Sequence, residues 1–473
     1  MILDQLTAHA RERLAAYRSE IPDDQMLAMA RALPRGGDFP FEAALRKPGL
    51  SFICEIKRAS PSKGVISPDF PYLVIAGDYV AGGADAISVL TEPKWFLGGD
   101  GILKELAGLE PGVPLLRKDF IVDPYMVAQA KCLGANAVLL ITSILTDQML
   151  KDCLSLADEL GLSALVEAHT EEQVRRALAC GARVIGVNNR NLEDFTVDPT
   201  TTARLRGLVP PGVLFVSESG VHSVYDLWRA QQAGCDGVLI GEVLMRAPHP
   251  EQRILGFRRM LRPYPSPRIK ICGVRRMADI HFANQYRPDM VGFVFAGGSK
   301  RRISYDRAST LRRILDPKID AVGVFVDTDP DQIIWLLDQG IIQYAQLHGH
   351  EPDSDIRRIQ DAGYTVFRAF QVQTEDDVKA AEQSPADLIV LDAGAGCGRA
   401  FPWELALGCE RPYILAGGLT PENVKKAIAR LHPWGVDVSS GVETNGTKSE
   451  SKIKTFMKEA RHAANKEQTG PVR

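Results

Sequence analysis

A twofold rhythm of short apolar runs constrains this chain more than any other feature. From residue 51 onward, runs rich in β-branched residues recur, separated by amphipathic segments of helical length, the pattern of repeated βα units. In the first half they are SFICEIK at 51, DAISVL at 85, PLLRKD at 114, NAVLLIT at 136, SALVEA at 163, RVIGVNN at 183, VLFVSES at 213 and DGVLIG at 236. RPYPSPR, residues 262 to 268, interrupts the pattern with three prolines, as a stiff linker does. A second series follows: RIKICG at 268, DMVGFVF at 289, DAVGVFV at 320, IIQYAQLH at 341, YTVFRAF at 364, DLIVLD at 387, PYILAGG at 412 and GVDVSS at 435. Eight nearly continuous apolar runs in each half suit parallel strands covered by helices on one face and packed on the other.

The predicted fold class is therefore α/β, with two (β/α)8 TIM barrels in tandem, residues 1–262 and 268–473. A doubly wound open sheet is the competing architecture. It would have fewer strands and a glycine-rich turn after the first, and EIKRASPSKG is not such a turn. Residues 1–48 read as helical, with Leu3, Leu6, Leu14 and Tyr17 among charges, and covering one barrel mouth is the simplest use for this N-terminal helical extension. The C-terminal NKEQTGPVR has little to bury and is expected to fray.

Composition narrows the partners. The chain carries 56 basic against 59 acidic residues, a formal charge of −3, with no block of like charge to match a phosphate backbone, so nucleic acid is not an expected partner. Charges run through MILDQLTAHARERLAAYRSE, and no stretch approaches the ~18 apolar residues of a membrane span. A cytoplasmic enzyme without a targeting signal or membrane contact is the expectation. The cysteines, at 54, 132, 153, 180, 235, 272, 397 and 409, form no C-x-x-C pair and no zinc-type spacing, so reduced thiols and no metal are expected.

In a (β/α)8 barrel, catalytic groups lie at the C-terminal strand ends and phosphate binds at the loops after strands 7 and 8. In the first half Glu55 and Lys57 end strand 1, Lys118 strand 3, Glu167 strand 5, Asn188 strand 6 and Glu218 strand 7. Two ammonium groups and three carboxylates then share one mouth, an arrangement suited to catalysis; rim charges pairing with each other or with solvent are the alternative for any one of them. Strands 7 and 8 end in SESG and LIGEVL, whose backbone N–H groups can surround a phosphate, although turn geometry alone also explains a glycine. In the second half Cys272 ends strand 1 and Asp392 ends strand 6, opposing a thiol and a carboxylate. A buried structural thiol is the alternative for Cys272. His348 ends strand 4, as either a satisfied rim histidine or a substrate contact.

EIKRASPSKG at 55–64, LLRKDF at 115–120, LVEAH at 165–169, GVNNRNL at 186–192 and SESGV at 217–221 together resemble the indole-3-glycerol-phosphate synthase family across the whole first barrel. The resemblance implies closure of an indole ring on 1-(2-carboxyphenylamino)-1-deoxyribulose 5-phosphate, with loss of carbon dioxide and water and no cofactor. By the same resemblance Lys118 is the general acid, its pKa expected to be lowered by nearby Lys57, and Glu167 the acid/base of dehydration. Lys57 would hold the anthranilate carboxylate. Glu55, Asn188, Arg190, Glu218 and Ser219 would orient the substrate, and Ser60, Ser219, Gly220 and Gly241 would bind phosphate, with the Glu242 carboxylate turned away.

KICGVR at 270–275, GFVFAGGSKRRIS at 292–304, QLHGHE at 346–351, the Asp392 loop, LAGGLTPENV at 415–424 and GVDVSSGVE at 435–443 resemble the phosphoribosylanthranilate isomerase family. That implies an Amadori rearrangement, in which Asp392 protonates the furanose oxygen and Cys272, its thiolate favoured by nearby positive charge, removes a proton from the adjacent carbon. Gly417, Gly418, Ser440 and Gly441 would bind phosphate and Arg301 the anthranilate carboxylate. Ala395 and Cys397 depart from the family's usual loop, which bears on its shape and not on the acid. The two implied reactions are consecutive, and a monomeric fusion acting on small phosphorylated substrates is expected. Other phosphosugar barrels would share the phosphate loops without explaining Lys118 with Glu167 or Cys272 with Asp392. A non-catalytic phosphosugar-binding or scaffold protein would lack the acid/base residues.

Overall fold

All sixteen runs are strands in the computed structural model, which describes residues 2–35, 38–191, 194–261, 267–392 and 402–465. The linker residues 262–266, Leu192 of the GVNNRNL motif, the loop holding Ala395 and Cys397, and the tail from 466 onward lie outside the described residues. In the first half the strands are β1 (Ser51–Ile56), β2 (Ala86–Leu90), β3 (Leu115–Lys118), β4 (Ala137–Ile141), β5 (Ser163–Ala168), β6 (Val184–Asn188), β7 (Leu214–Glu218) and β8 (Gly237–Ile240). They pair in parallel, each with the next. β1 closes the barrel by pairing with both β2, Ile53 opposite Ala86, and β8, Ser51 opposite Gly237.

The helices between them form for local reasons. Asp147–Leu160 starts at Thr146, whose hydroxyl accepts from the Met149 N–H, and buries Leu150, Cys153, Ala157 and Leu160. That three-four-three spacing is one stripe of a 3.6-residue helix laid on the sheet.

The N-terminal extension is three helices, α1 (Ile2–Glu20), α2 (Asp23–Ala32) and α3 (Pro40–Leu45). It reaches both ends of the barrel, where sequence alone suggests one. Leu3 and Leu6 of α1 line the cavity at the C-terminal mouth. At the opposite end the carbonyl of Ala44 in α3 accepts from the Ser51 hydroxyl at the start of β1, and Phe41 and Leu45 join the buried core with Ile53, Val184 and Leu214.

The second unit repeats the plan with β9 (Arg268–Cys272), β10 (Met290–Val294), β11 (Asp320–Phe325), β12 (Tyr344–Leu347), β13 (Thr365–Gln371), β14 (Leu388–Asp392), β15 (Tyr413–Leu415) and β16 (Gly435–Val438). It also closes, β9 pairing with β10 and with β16. The helix Glu450–Asn465 covers it with Ile453, Phe456, Met457 and Ala460. Among the described residues no helix is long and apolar enough to cross a membrane.

Candidate active sites

Strand alternation aims the first site. Side chains two apart on a strand share a face, so at the end of β3 Lys118 turns into the barrel while Arg117 and Asp119 turn toward the helices. Glu55, Lys57, Ser60, Lys118, Glu167, Asn188, Arg190, Glu218, Ser219, Gly220 and Gly241 all line one open cavity of about 1180 Å³. Glu55, Glu167 and Glu218 are buried carboxylates. The Lys118 Nζ stands 3.8 Å from Glu167 Oε2 and 3.8 Å from Glu218 Oε2. Lys57 Nζ donates to Glu55 Oε1 at 2.5 Å. Two features give Glu218 its room: a methyl group on Gly186 of β6 would run into its carboxylate, and among the described residues neither of its oxygens has a hydrogen-bond partner.

These distances set the charges. Burial pushes the Glu218 carboxyl up, the nearby Glu167 adds to this, and it reaches about 8 despite Lys118. Burial also opposes charge on Glu55, but Lys57 and Lys118 outweigh it and hold this carboxyl below its usual value. The expected lowering of Lys118 by Lys57 is not what the structure holds. Burial works against the Lys118 charge, but Glu218, Glu167 and Glu55 outweigh it and hold its pKa above that of an ordinary lysine, while Lys57 spends its charge on Glu55.

The phosphate candidates lie where strand order puts them. Ser219 and Gly220, after β7, have positive φ of 65° and 86°, and Asn189 Nδ2 donates to the Ser219 carbonyl at 3.1 Å. Gly241 follows β8, and a methyl group there would stand 2.7 Å from Glu55 Oε1. Glu242 is engaged by Arg246 at 3.1 Å and Lys63 at 3.4 Å. His169, not singled out from sequence, places Nε2 3.6 Å from Glu167 Oε1. Its place two residues after Glu167 is the signal that could have found it.

In the second barrel Cys272 is half-buried at the end of β9, against Gly292 of β10, where a methyl group would meet its Sγ at 2.6 Å. Lys270, two residues earlier and so on the same face, is fully buried and donates to Asp437 of β16 at 2.6 Å. Arg301 packs against Gly273 and forms a two-pronged pair with Glu443, 2.8 Å for each bond, and Glu443 also accepts from buried Lys448 at 3.0 Å. Burial tends to raise Glu443, but Arg301 and Lys448 hold it down to about 2.

This cluster corrects the expectation for Cys272. Burial pushes the thiol above its usual value, and with Asp437 it outweighs the opposing pull of Lys270 and Lys448, so these surroundings favour the thiol over the thiolate. Lys270, Asp437, Glu443 and Lys448 were missed, and the visible signals were a lysine inside the apolar run RIKIC and an aspartate inside GVDV.

Asp392 is buried at the end of β14, with His348 Nε2 3.8 Å from its Oδ2. Gly417 and Gly418 follow β15 with φ of 79° and 64°, and Asn423 Nδ2 donates to the Gly418 carbonyl at 2.9 Å. Ser440 opens a single turn after β16. A methyl group on Gly441 would collide with the Leu419 carbonyl oxygen, so the loops after β15 and β16 lie in direct backbone contact there.

Comparison with known proteins bears on both halves. The family described as indole-3-glycerol phosphate synthase matches residues 3–257, and the family described as N-(5'phosphoribosyl)anthranilate (PRA) isomerase matches residues 269–459. The indole-3-glycerol phosphate synthase of Lachnoclostridium phytofermentans is 46% identical over 272 residues, 55% of this chain and 100% of that protein. A multifunctional tryptophan biosynthesis protein of Schizosaccharomyces pombe is 34% identical over 464 residues, 88% of this chain and 60% of that protein. A crystal structure of phosphoribosyl anthranilate isomerase from Thermus thermophilus is 36% identical, covering 42% of this chain and 99% of that one, with a TM-score of 0.39.

Proposed function

This chain belongs to the indole-3-glycerol phosphate synthase family and carries a PRA isomerase domain after it, and from that premise we propose how the side chains of each barrel divide the chemistry. The protein is a bifunctional enzyme of tryptophan biosynthesis. Its second barrel isomerises N-(5-phosphoribosyl)anthranilate to 1-(2-carboxyphenylamino)-1-deoxyribulose 5-phosphate, and its first converts that product to indole-3-glycerol phosphate.

The observation that carries the synthase reading is the position of Lys118 between Glu167 and Glu218. Held as an ammonium, Lys118 donates a proton to the substrate ketone as the aromatic ring attacks it, and carbon dioxide then leaves to restore aromaticity. Dehydration follows, with one group protonating the departing hydroxyl and another removing a ring proton. Glu218, protonated near neutral pH, fits the first role, and Glu167 the second. Lys57, Asn188 and Arg190 hold the anionic substrate, with Glu55 orienting Lys57. Ser60, Ser219, Gly220 and Gly241 receive the phosphate.

In the isomerase Asp392 protonates the ring oxygen, the C1–O bond breaks, and a Schiff base forms. Cys272, acting from its thiolate form, then removes the C2 proton to give an enolamine that becomes the aminoketose. Lys270 and Lys448 support the thiolate against burial. Arg301 meets the anthranilate carboxylate, His348 lies beside Asp392, and Gly417, Gly418, Ser440 and Gly441 receive the phosphate. Domains of residues 1–262 and 268–473, supported by strand sets that end at Ile240 and restart at Arg268, belong to this reading, as do a monomeric fusion and a cytoplasmic location.

A coupled assay tests it. Purified protein given freshly made phosphoribosylanthranilate should quench its fluorescence and raise indole-glycerol-phosphate absorbance. Substrate loss without the indole signal would refute the synthase roles, and neither signal from a folded protein would point to a binding protein.

A further inference from the structure

The face that α1 turns to the barrel runs Leu3, Leu6, Ala10, Arg13 and Tyr17, a stripe of spacing three, four, three and four. It changes character along its length. Leu3 and Leu6 reach the catalytic cavity. Two and three turns further, Arg13 Nη1 and Nη2 donate to Asp119 Oδ2 and Oδ1 at 3.0 and 2.6 Å, and Tyr17 donates to Asp100 at 2.8 Å. Asp119 is fully enclosed. It also accepts from the Thr91 hydroxyl at 2.6 Å and the Phe120 N–H at 2.8 Å, with Arg117 3.5 Å away. Asp119 follows Lys118 directly and points the opposite way, so whatever holds Asp119 holds the peptide from which Lys118 projects.

A buried ion pair adds little net stability compared with apolar side chains of the same volume, because desolvation offsets the attraction. What it supplies is geometry, since a two-pronged guanidinium–carboxylate contact fixes both distance and plane. We propose that Arg13 is a positioning residue for the synthase reaction: its pair with Asp119 sets the peptide that carries Lys118 and holds the apolar start of α1 over the cavity. The inference rests on the reading that Lys118 takes part in the chemistry. Arg13 touches no substrate in this scheme and acts through Asp119 alone.

The test is steady-state synthase kinetics of the full chain, with folding followed by circular dichroism. Arg13→Ala should lower kcat by about tenfold to a hundredfold, the scale of loss when a catalytic group is slightly misplaced, with KM moving less. Arg13→Lys, which keeps the charge without the fork, should recover part of kcat. Asp119→Asn should resemble Arg13→Ala, and the double variant should fall no further than the worse single, because the two act as one unit. Arg31→Ala breaks an exposed pair between α2 and Glu159 and should leave kcat unchanged. A folded Arg13→Ala protein with parental kcat, or with a loss confined to KM, would overturn the proposal. If Arg13→Ala does not fold, Arg13→Lys and Asp119→Asn decide by the same criterion. Lys118→Ala checks the underlying reading separately, since full activity there would remove Lys118 from the chemistry whatever Arg13 does.

Discussion

At the scale of single residues, the synthase site runs on an imbalance between cations and carboxylates. Lys57 is taken by Glu55 at 2.5 Å, leaving Lys118 to serve both Glu167 and Glu218 from 3.8 Å. Burial and the neighbouring Glu167 raise Glu218 to about 8 against the pull of Lys118. Stability should follow. Between the ordinary carboxyl value and about 8 the folded chain keeps a proton on Glu218 that the unfolded chain has released, so folding stability falls as pH rises through that window. Glu218→Gln removes the penalty. Its melting temperature should match the parent at low pH and exceed it increasingly toward pH of about 8, while synthase turnover collapses. A constant difference at every pH would mean that Glu218 is not protonated in the folded state.

At the scale of elements, the loops after the seventh and eighth strands of the second barrel approach closely through glycine. Gly441 shows this most sharply, because a methyl group there meets the Leu419 carbonyl and nothing flexible can yield. Gly441→Ala should force apart the loops after β15 and β16 and raise the isomerase KM for its phosphorylated substrate more than it lowers kcat. The strand and helix framework should hold, since the turn lies beyond β16. An unchanged KM would mean that phosphate does not bind between these loops.

At the scale of the whole molecule, two closed barrels each bring their own acid/base groups, so each activity should fail alone. Lys118→Ala should cost the synthase about 10²- to 10⁴-fold, the usual worth of a general acid, and leave isomerase turnover near its parental value. Asp392→Asn should do the reverse. Loss of both activities in either folded variant would contradict two independent sites.

Much of this was legible in the sequence because it depends on local order. Sixteen apolar runs, alternation within each strand and polar residues at the C-terminal ends are properties of the chain read in line, and in a closed parallel barrel those ends must meet at one mouth. That is why Glu55, Lys118, Glu167 and Glu218 could be grouped without coordinates. Their proton affinities could not. Lys57 lies two residues from Glu55 in sequence, but which carboxylate it chooses, and what that leaves for Lys118, depends on distances across strands. The same holds for Cys272, where burial outweighs Lys270 and Lys448, and for Arg13, which stands 106 residues from the aspartate it binds. Sequence order determined the barrels and which strand ends share a mouth; tertiary packing decided which charges pair, because electrostatic energy follows separation and burial in space, neither of which the linear chain specifies.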